Sequence, residues 1–407
     1  MTNLLATAQY VLSGNKKLRC GFTTGSAAAM ACKAACHLLL LNEKLTDVSI
    51  ITPKGFLASA PVIYSESAAN SAKSVRCGVK KDAGDDADAT NGIEIFATVS
   101  VIEHNGENSS GVKVIIDGGQ GVGRVTKDGL DQAVGEAAIN STPRKMIEKE
   151  ALSACFEAHF SGTLKVVIDI PRGEEIAKKT FNAHLGITGG ISVIGTTGVV
   201  EPMSVEALIG AIEAELNVAF AAVREKTVRP LIITPGEYGD FFLKNNFSHI
   251  LQSVSVVKCS NYIGDTLDMA VNKGFSHLFI IGHAGKIAKI AGGIFNTHSS
   301  VADCRAEIFA SHAALSGASS SVVSDIMNAA TVDAMLDILQ NESQELYDST
   351  LQSISEKIAQ HLARRIGENT AFAYLSFTHQ HGTLFSSDNL SSFLETLKNF
   401  ELLQKAY

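Results

Sequence analysis

The chain has 407 residues, 45% of them hydrophobic, and a formal net charge of −8 with no tryptophan. That apolar content suits two globular domains of ordinary size and excludes a disordered or fibrous chain, while an acidic balance without tryptophan argues against a nucleic-acid surface. Seven scattered cysteines without a CxxC pair suggest neither a disulfide framework nor a zinc site, so no metal is expected.

The first twenty residues, MTNLLATAQYVLSGNKKLRC, lack a basic start followed by an apolar run, and a soluble, cytoplasmic protein without membrane contact is expected. An alanine-rich helix is predicted over about 26–41. Just before it, the hydroxyls of Thr23, Thr24 and Ser26 and the free N–H groups of the helix start are expected to meet an anion. Cys32, Cys36 and His37 inside that helix read as packing. Strand-like runs follow at 48–51, 57–64, 74–79, 93–102 and 112–116, close enough together for a largely antiparallel sheet. Between two of them, the loop 80–88 holds four aspartates. It lacks the length and closing glutamate of a calcium loop, so Asp82 and Asp85 are expected to serve substrate or structure.

The organisation changes near residue 160, predicting an α+β domain over 1–160 that contributes to substrate binding and a Rossmann-like, doubly wound parallel-sheet domain over 161–407. In the second part, buried runs at 164–170, 191–194, 231–234, 254–258 and 278–281 alternate with helical patterns. Residues 322–366 read as helices, 371–377 as a strand returning to the parallel sheet, and 391–403 as a closing helix. Ligands of such sheets bind beyond the carboxyl ends of the strands. Five small, polar loops sit there, at 171–175, 195–198, 234–239, 259–265 and 282–286, and are expected to share one rim. In the second, Gly195, Thr196, Thr197 and Gly198 let a bound molecule reach main-chain N–H groups, and Glu201 helps close the turn. Basic pairs such as Lys16-Lys17, Lys80-Lys81 and Arg144-Lys145 stand beside turns where a polyanion could be gripped.

Residues 117–123 spell DxGxGxG, a pattern shared with common S-adenosylmethionine methyltransferases. That motif needs a helix directly after the glycines, and Gly129 argues against a start before about Asp128. A longer set of segments carries a different likeness. LRCGFTTGSAAA, VKKDAGDDADATNG, IDGGQGVGRVTKDGL, TPRKMI, GEEIAKKTFNAHLGITGGISVIGTTGVVEPMS, CSNYIGDTLDMA and GHAGKIAKIAGGIFNTHSSVADCR, in order over about 18–305, resemble the CbiD family of cobalt-precorrin-5B (C-1)-methyltransferases. Two positions depart from the family pattern: Ala87 stands in place of an expected proline, and His184 in place of an arginine.

The resemblance implies methyl transfer from S-adenosylmethionine to C-1 of cobalt-precorrin-5B, giving cobalt-precorrin-6A in the anaerobic route to cobalamin, with the cobalt carried by the substrate. It also implies a fold distinct from the other corrin-ring methyltransferases. In-line methyl transfer needs donor and acceptor aligned at about 3 Å and shielded from water, but no nucleophilic side chain. On this reading the donor lies near Gly195, Thr196, Thr197, Gly198 and Glu201 on the parallel rim, and His283 manages a proton. Lys286, Asn296, Thr297, His298 and Arg305 contact the substrate, with the anionic corrin arms at Lys286 or Arg305. A nicotinamide-dependent corrin reductase and a non-catalytic corrin carrier are the alternatives, and a homo-oligomer is left open.

Overall fold

Period-two alternation builds the first sheet. In Gly162–Asp169, Leu164, Val166 and Ile168 are fully buried while the residues between them are not, which is the pattern of a strand with one face on a core. The computed structural model describes residues 9–13, 15–64, 74–104 and 111–404; the first eight residues of the N-terminal stretch read for a leader lie outside the described residues. Two compact units emerge, Met1–Val205 and Glu206–Tyr407.

In the first unit, six strands pair in the order Asp47–Ile51, Leu57–Tyr64, Ser74–Lys80, Glu94–His104, Gly162–Asp169, Val112–Gly118. All neighbours are antiparallel except the last pair. A parallel pair needs a crossover, and helix Ser141–Glu157 lies between Val112–Gly118 and Gly162–Asp169 in the chain. Helix Thr24–Cys36, continued by a π turn over His37–Leu41, covers the predicted 26–41. It is long and apolar enough to cross a membrane by composition. Its residues Ala27–Ala31 are nevertheless wholly buried in the unit's core, so its hydrophobicity is spent on packing. Cys32 and Cys36 lie on it with their sulfurs 3.9 Å apart, and burial pushes the thiols of neighbouring Cys77 and Cys155 up to about 12.

The boundary expected at 160 is displaced to Val205 because Gly162–Asp169 hydrogen-bonds into this sheet. The run expected over 191–194 likewise lies outside the second unit's sheet: Gly190–Ile191 makes a separate two-residue parallel pairing with Gly121–Val122. Glycine makes that crossing possible. A Cβ on Gly121, whose φ is +71°, would stand 1.9 Å from the Ile170 carbonyl oxygen, and one on Gly190 would stand 2.1 Å from that of Gly121. The DxGxGxG run contains the short strand Gly121–Val122 and is followed by another, Arg124–Val125, and the next helix starts only at Ser141. The glycines serve chain crossing, and the nucleotide-motif spelling has no helix behind it.

In the second unit, strands Val256–Lys258, Pro230–Thr234, His277–His283 and Ala371–Thr378 are parallel neighbours in that order, and Gly382–Ser386 adds an antiparallel edge. Pro230–Thr234 is buried at every residue, as a strand covered on both faces must be. After the short helical turns Ala284–Ile287 and Ala288–Gly292, four longer helices, Arg305–Leu315, Ser320–Asn328, Val332–Glu342 and Gln344–Ile366, intervene before the chain re-enters the sheet. Ser319, Thr331 and Ser343 cap the last three with their hydroxyls. The result is a mixed α/β chain.

Candidate functional site

The expected site residues separate into two groups. Thr23, Thr24, Ser26, Asp82, Asp85, Gly195, Thr196, Thr197, Gly198 and Glu201 belong to the first unit; His283, Lys286, Asn296, Thr297, His298 and Arg305 belong to the second. The single rim of five loops therefore resolves into three. Of the five, only the loops after residues 234, 258 and 283 follow strands of the five-stranded sheet, while 171–175 and 195–198 lie in the first unit.

Within the first group the polar atoms face the chain itself. Thr23 caps the helix by accepting from the Ser26 amide at 3.2 Å, and Ser26 Oγ donates to the Gly198 carbonyl at 2.6 Å. Thr24 Oγ1 donates to the Ile194 carbonyl at 3.1 Å and accepts from the Ile194 amide at 2.9 Å. The Gly25 amide also reaches the Ile194 carbonyl. The three hydroxyls expected to meet an anion are thus buried and spent within the chain, those of Thr24 and Ser26 on residues 194–198 and that of Thr23 on the helix start, while the Thr23 amide donates to the Gly198 carbonyl. Gly195, at φ +134°, is required by that contact: a Cβ there would stand 2.2 Å from Thr23 Oγ1. Thr196 and Thr197 are exposed; Thr197 Oγ1 donates to the Val199 carbonyl, and Glu201 pairs with Lys54.

The acidic loop is equally occupied. Arg19 makes a two-pronged bond to Asp82, at 2.6 and 2.8 Å, and its amide donates to Asp85 at 2.7 Å. Hydrogen bonding from the Arg19 guanidinium holds the Asp82 carboxyl below its usual range. Lys81, 2% exposed, pairs with Asp88 and donates to Thr90. Burial lowers the pKa of this lysine against the pull of Asp88. Among the described residues, no cluster of metal-binding side chains is found. Basic groups near these turns are spent too: Arg144, expected to grip a polyanion, donates to three backbone carbonyls, and Arg124 pairs with Asp117.

All of the second group except Asn296 line a cavity of about 400 Å³. It opens where strand order reverses, between the carboxyl ends of Pro230–Thr234 and His277–His283, the place where open parallel sheets bind ligands. His283 ends its strand and accepts from the Gly285 amide through Nδ1 at 3.2 Å. A ring accepting at Nδ1 carries its proton on Nε2. Burial lowers the pKa of His283; Asp333 opposes this, whereas His379 and Arg305 add to it. Lys286 donates to the Ser260 carbonyl at 3.1 Å, and burial lowers its pKa also. Asn296 Oδ1 accepts from the His298 amide, and Thr297 Oγ1 donates to Asn261 Oδ1 at 3.3 Å. His298 Nδ1 lies 2.6 Å from Ser300 Oγ. Arg305 makes a two-pronged bond to Asp303, at 2.5 and 2.8 Å. It follows Cys304, an exposed residue held at φ +50°.

Three participants escaped the sequence reading. Lys289, 3% exposed, donates to the carbonyls of Thr297 and Ala302 at 3.2 and 2.8 Å, fastening the segment that bears His298 and Arg305. Its signal was a second lysine three residues after Lys286, on a helical face. Tyr238 and His379 complete a ring triangle with His283, with centroids 5.2 to 5.9 Å apart. His379 stands directly past Ala371–Thr378, so the rule applied to the other strands would have found it.

Comparison with known proteins follows the same two-part division. The family model described as CbiD matches residues 11–202, and that described as CbiD, C-terminal domain, matches 296–388. A protein of Ruminiclostridium cellulolyticum named cobalt-precorrin-5B C(1)-methyltransferase is 46% identical over 91% of this chain and 91% of its own. One of the same name from Alkaliphilus metalliredigens is 37% identical over 96% and 98%. A crystal structure of the cobalamin biosynthesis protein CbiD from Archaeoglobus fulgidus aligns with 30% identity and a TM-score of 0.37, covering 72% of this chain and 86% of that one.

Proposed function

The chain belongs to the CbiD family, and from that membership we propose that it is a C-methyltransferase that methylates C-1 of cobalt-precorrin-5B to give cobalt-precorrin-6A, using S-adenosylmethionine, in the anaerobic route to cobalamin. The observation that carries the reading is identity of 46% across 91% of both chains with a relative bearing that activity in its name. The cavity at the strand-order reversal supports it, because a small-molecule enzyme of this sheet type is expected to bind there. Four parallel strands with a reversal between Pro230–Thr234 and His277–His283 support reading the second unit as a Rossmann-like doubly wound domain.

S-adenosylmethionine supplies the methyl group together with its own leaving group. The candidate donor loop is Gly195 to Gly198, where Thr196 and Thr197 are exposed and the flanking Gly195 and Gly198 take positive φ. Glu201 stands beside it, held by Lys54. Thr23, Thr24, Ser26, Asp82 and Asp85 act as scaffold for this loop and its surroundings, since their polar atoms are bound within the chain. In the second unit His283 holds a proton at Nε2, where it serves as a hydrogen-bond donor to the acceptor ring. The cobalt arrives chelated by the substrate, so no protein ligand is assigned to it. The enzyme works as a soluble cytoplasmic protein on a small corrin.

Purified protein incubated anaerobically with methyl-labelled S-adenosylmethionine and cobalt-precorrin-5B tests the reading. Label incorporated at C-1 is the expected result. Turnover that depends on reduced nicotinamide, or tight corrin binding with no transfer, would replace it with the reductase or the carrier.

A further inference from the structure

Lys286, Lys289 and Arg305 line the cavity of the second unit, and among the described residues no acidic side chain does. Two of the three cations are balanced: Asp303 pairs with Arg305 and lies 3.5 Å from Lys289 Nζ. Lys286 is different. It is half-buried, its recorded bond goes to a neutral carbonyl, and among the described residues no carboxylate lies within ion-pair distance of its ammonium. The nearby Lys289 charge disfavours its protonated form further.

The backbone adds the same sign of charge. Tyr238 and Gly239 line the cavity from the first turn of helix Glu237–Asn246, which has no side-chain cap at Gly236. Lys286 Nζ stands 3.7 Å from where a Cβ on Gly236 would lie, so ammonium and helix start face one spot. Asn261, just before helix Ile263–Lys273, and Arg305, first residue of helix Arg305–Leu315, bring two further helix starts without a side-chain cap. Helix starts carry partial positive charge. Placing a half-buried ammonium among them costs free energy that an anion joining it would offset.

Size does not separate the two ligands of the proposed reaction. About 400 Å³ lies near the lower end of the ~300–1,000 Å³ common for small-molecule pockets, enough for the donor or for one edge of a tetrapyrrole. Charge separates them. The donor combines a sulfonium and an ammonium with a single carboxylate and is a net cation, whereas the corrin precursor carries acetate and propionate arms. We infer that this cavity is a carboxylate subsite, with Lys286 as its central cation and Arg305 beside it, which seats an acidic arm of the corrin and rejects the sulfonium donor. The inference rests on the corrin reading above.

Titration calorimetry with two cobalt corrins, cobyrinic acid with free carboxylate arms and cobinamide with amidated ones, tests it on the full chain. S-adenosylmethionine is titrated in parallel. Cobyrinic acid is expected to bind at least about tenfold more tightly than cobinamide, with affinity falling as salt is raised. Lys286→Met should cut cobyrinic acid affinity by about tenfold or more while leaving that for S-adenosylmethionine unchanged. Equal affinity for the two corrins, or a Lys286→Met protein that loses the donor but keeps cobyrinic acid, would overturn the subsite. The methyltransfer assay answers separately: selective cobyrinic acid binding lost in Lys286→Met upholds the subsite even where no label is transferred.

Discussion

The helix start at Thr23 and the cavity around Lys286 are made from similar ingredients, small residues, hydroxyls, cations and helix N-termini, yet they differ in where their polar atoms go. Around Thr23, each hydroxyl and the Gly25 and Ser26 amides close onto the chain. Around Lys286, three helix starts lack side-chain caps and one ammonium lacks a carboxylate. Accounting for partners, rather than composition, tells a scaffold from a receptor, because a satisfied buried group gains nothing from a ligand whereas an unsatisfied one costs free energy until a ligand arrives.

That contrast can be broken by mutation. Lys81→Ala should have the largest effect on stability, roughly 3–5 kcal/mol, since it strips the buried pair and leaves Asp88 without its cation. Chemical denaturation measures it, and a loss below about 1 kcal/mol would remove the acidic loop from the scaffold. Because Asp88 is held below its usual range, against burial, by Lys81, its contribution is present above the unfolded carboxyl pKa of about 3.9 and is lost as pH falls through the folded value.

Turnover is where His283→Ala should register, by about a hundredfold. The wild-type rate should fall on acidification below about pH 6.5, the imidazole's ordinary value, because its folded pKa is lower and protonation abolishes the Nδ1 bond to Gly285. The groups bearing on that titration are Asp333, His379 and Arg305. A few-fold loss in the variant, or a flat acid limb, would take His283 out of the mechanism.

Gly195→Ala should destabilise the first unit by about 2–3 kcal/mol, its Cβ meeting Thr23 at a φ unsuited to alanine. Ser26→Ala should cost less, about 1 kcal/mol, by removing one of two donors to the Gly198 carbonyl, which keeps the Thr23 amide. Smallest is Lys286→Met, expected to leave stability within about 0.5 kcal/mol or to raise it, since it removes a half-buried charge rather than a partner. A melting temperature lowered by several degrees in that variant would place Lys286 in the scaffold after all.

Much of the fold was legible in the sequence. Strands predicted over 57–64 and 371–377 appear as Leu57–Tyr64 and Ala371–Thr378, and the closing helix predicted over 391–403 appears as Leu390–Gln404. Alternation and apolar runs are local signals, so they survive folding. Partner choice is not local. Residues 164–170 have the same buried-run character whether they join a parallel sheet or, as here, sit between an antiparallel and a parallel neighbour. The site was legible to the same depth. Proximity of loops 234–239, 259–265 and 282–286 followed from topology, whereas the commitment of Thr23, Thr24 and Ser26 to residues 194–198, about 170 positions away, had no signature in spacing.

The distribution of thiols offers a practical consequence. Six of the seven cysteines are buried, and Cys304 alone is exposed, one residue before Arg305 at the cavity. A thiol-reactive fluorophore should therefore label the native protein at one position without removing any cysteine first. Its emission would follow ligand entry into the second unit in real time, so occupancy becomes observable before a single turnover has been measured.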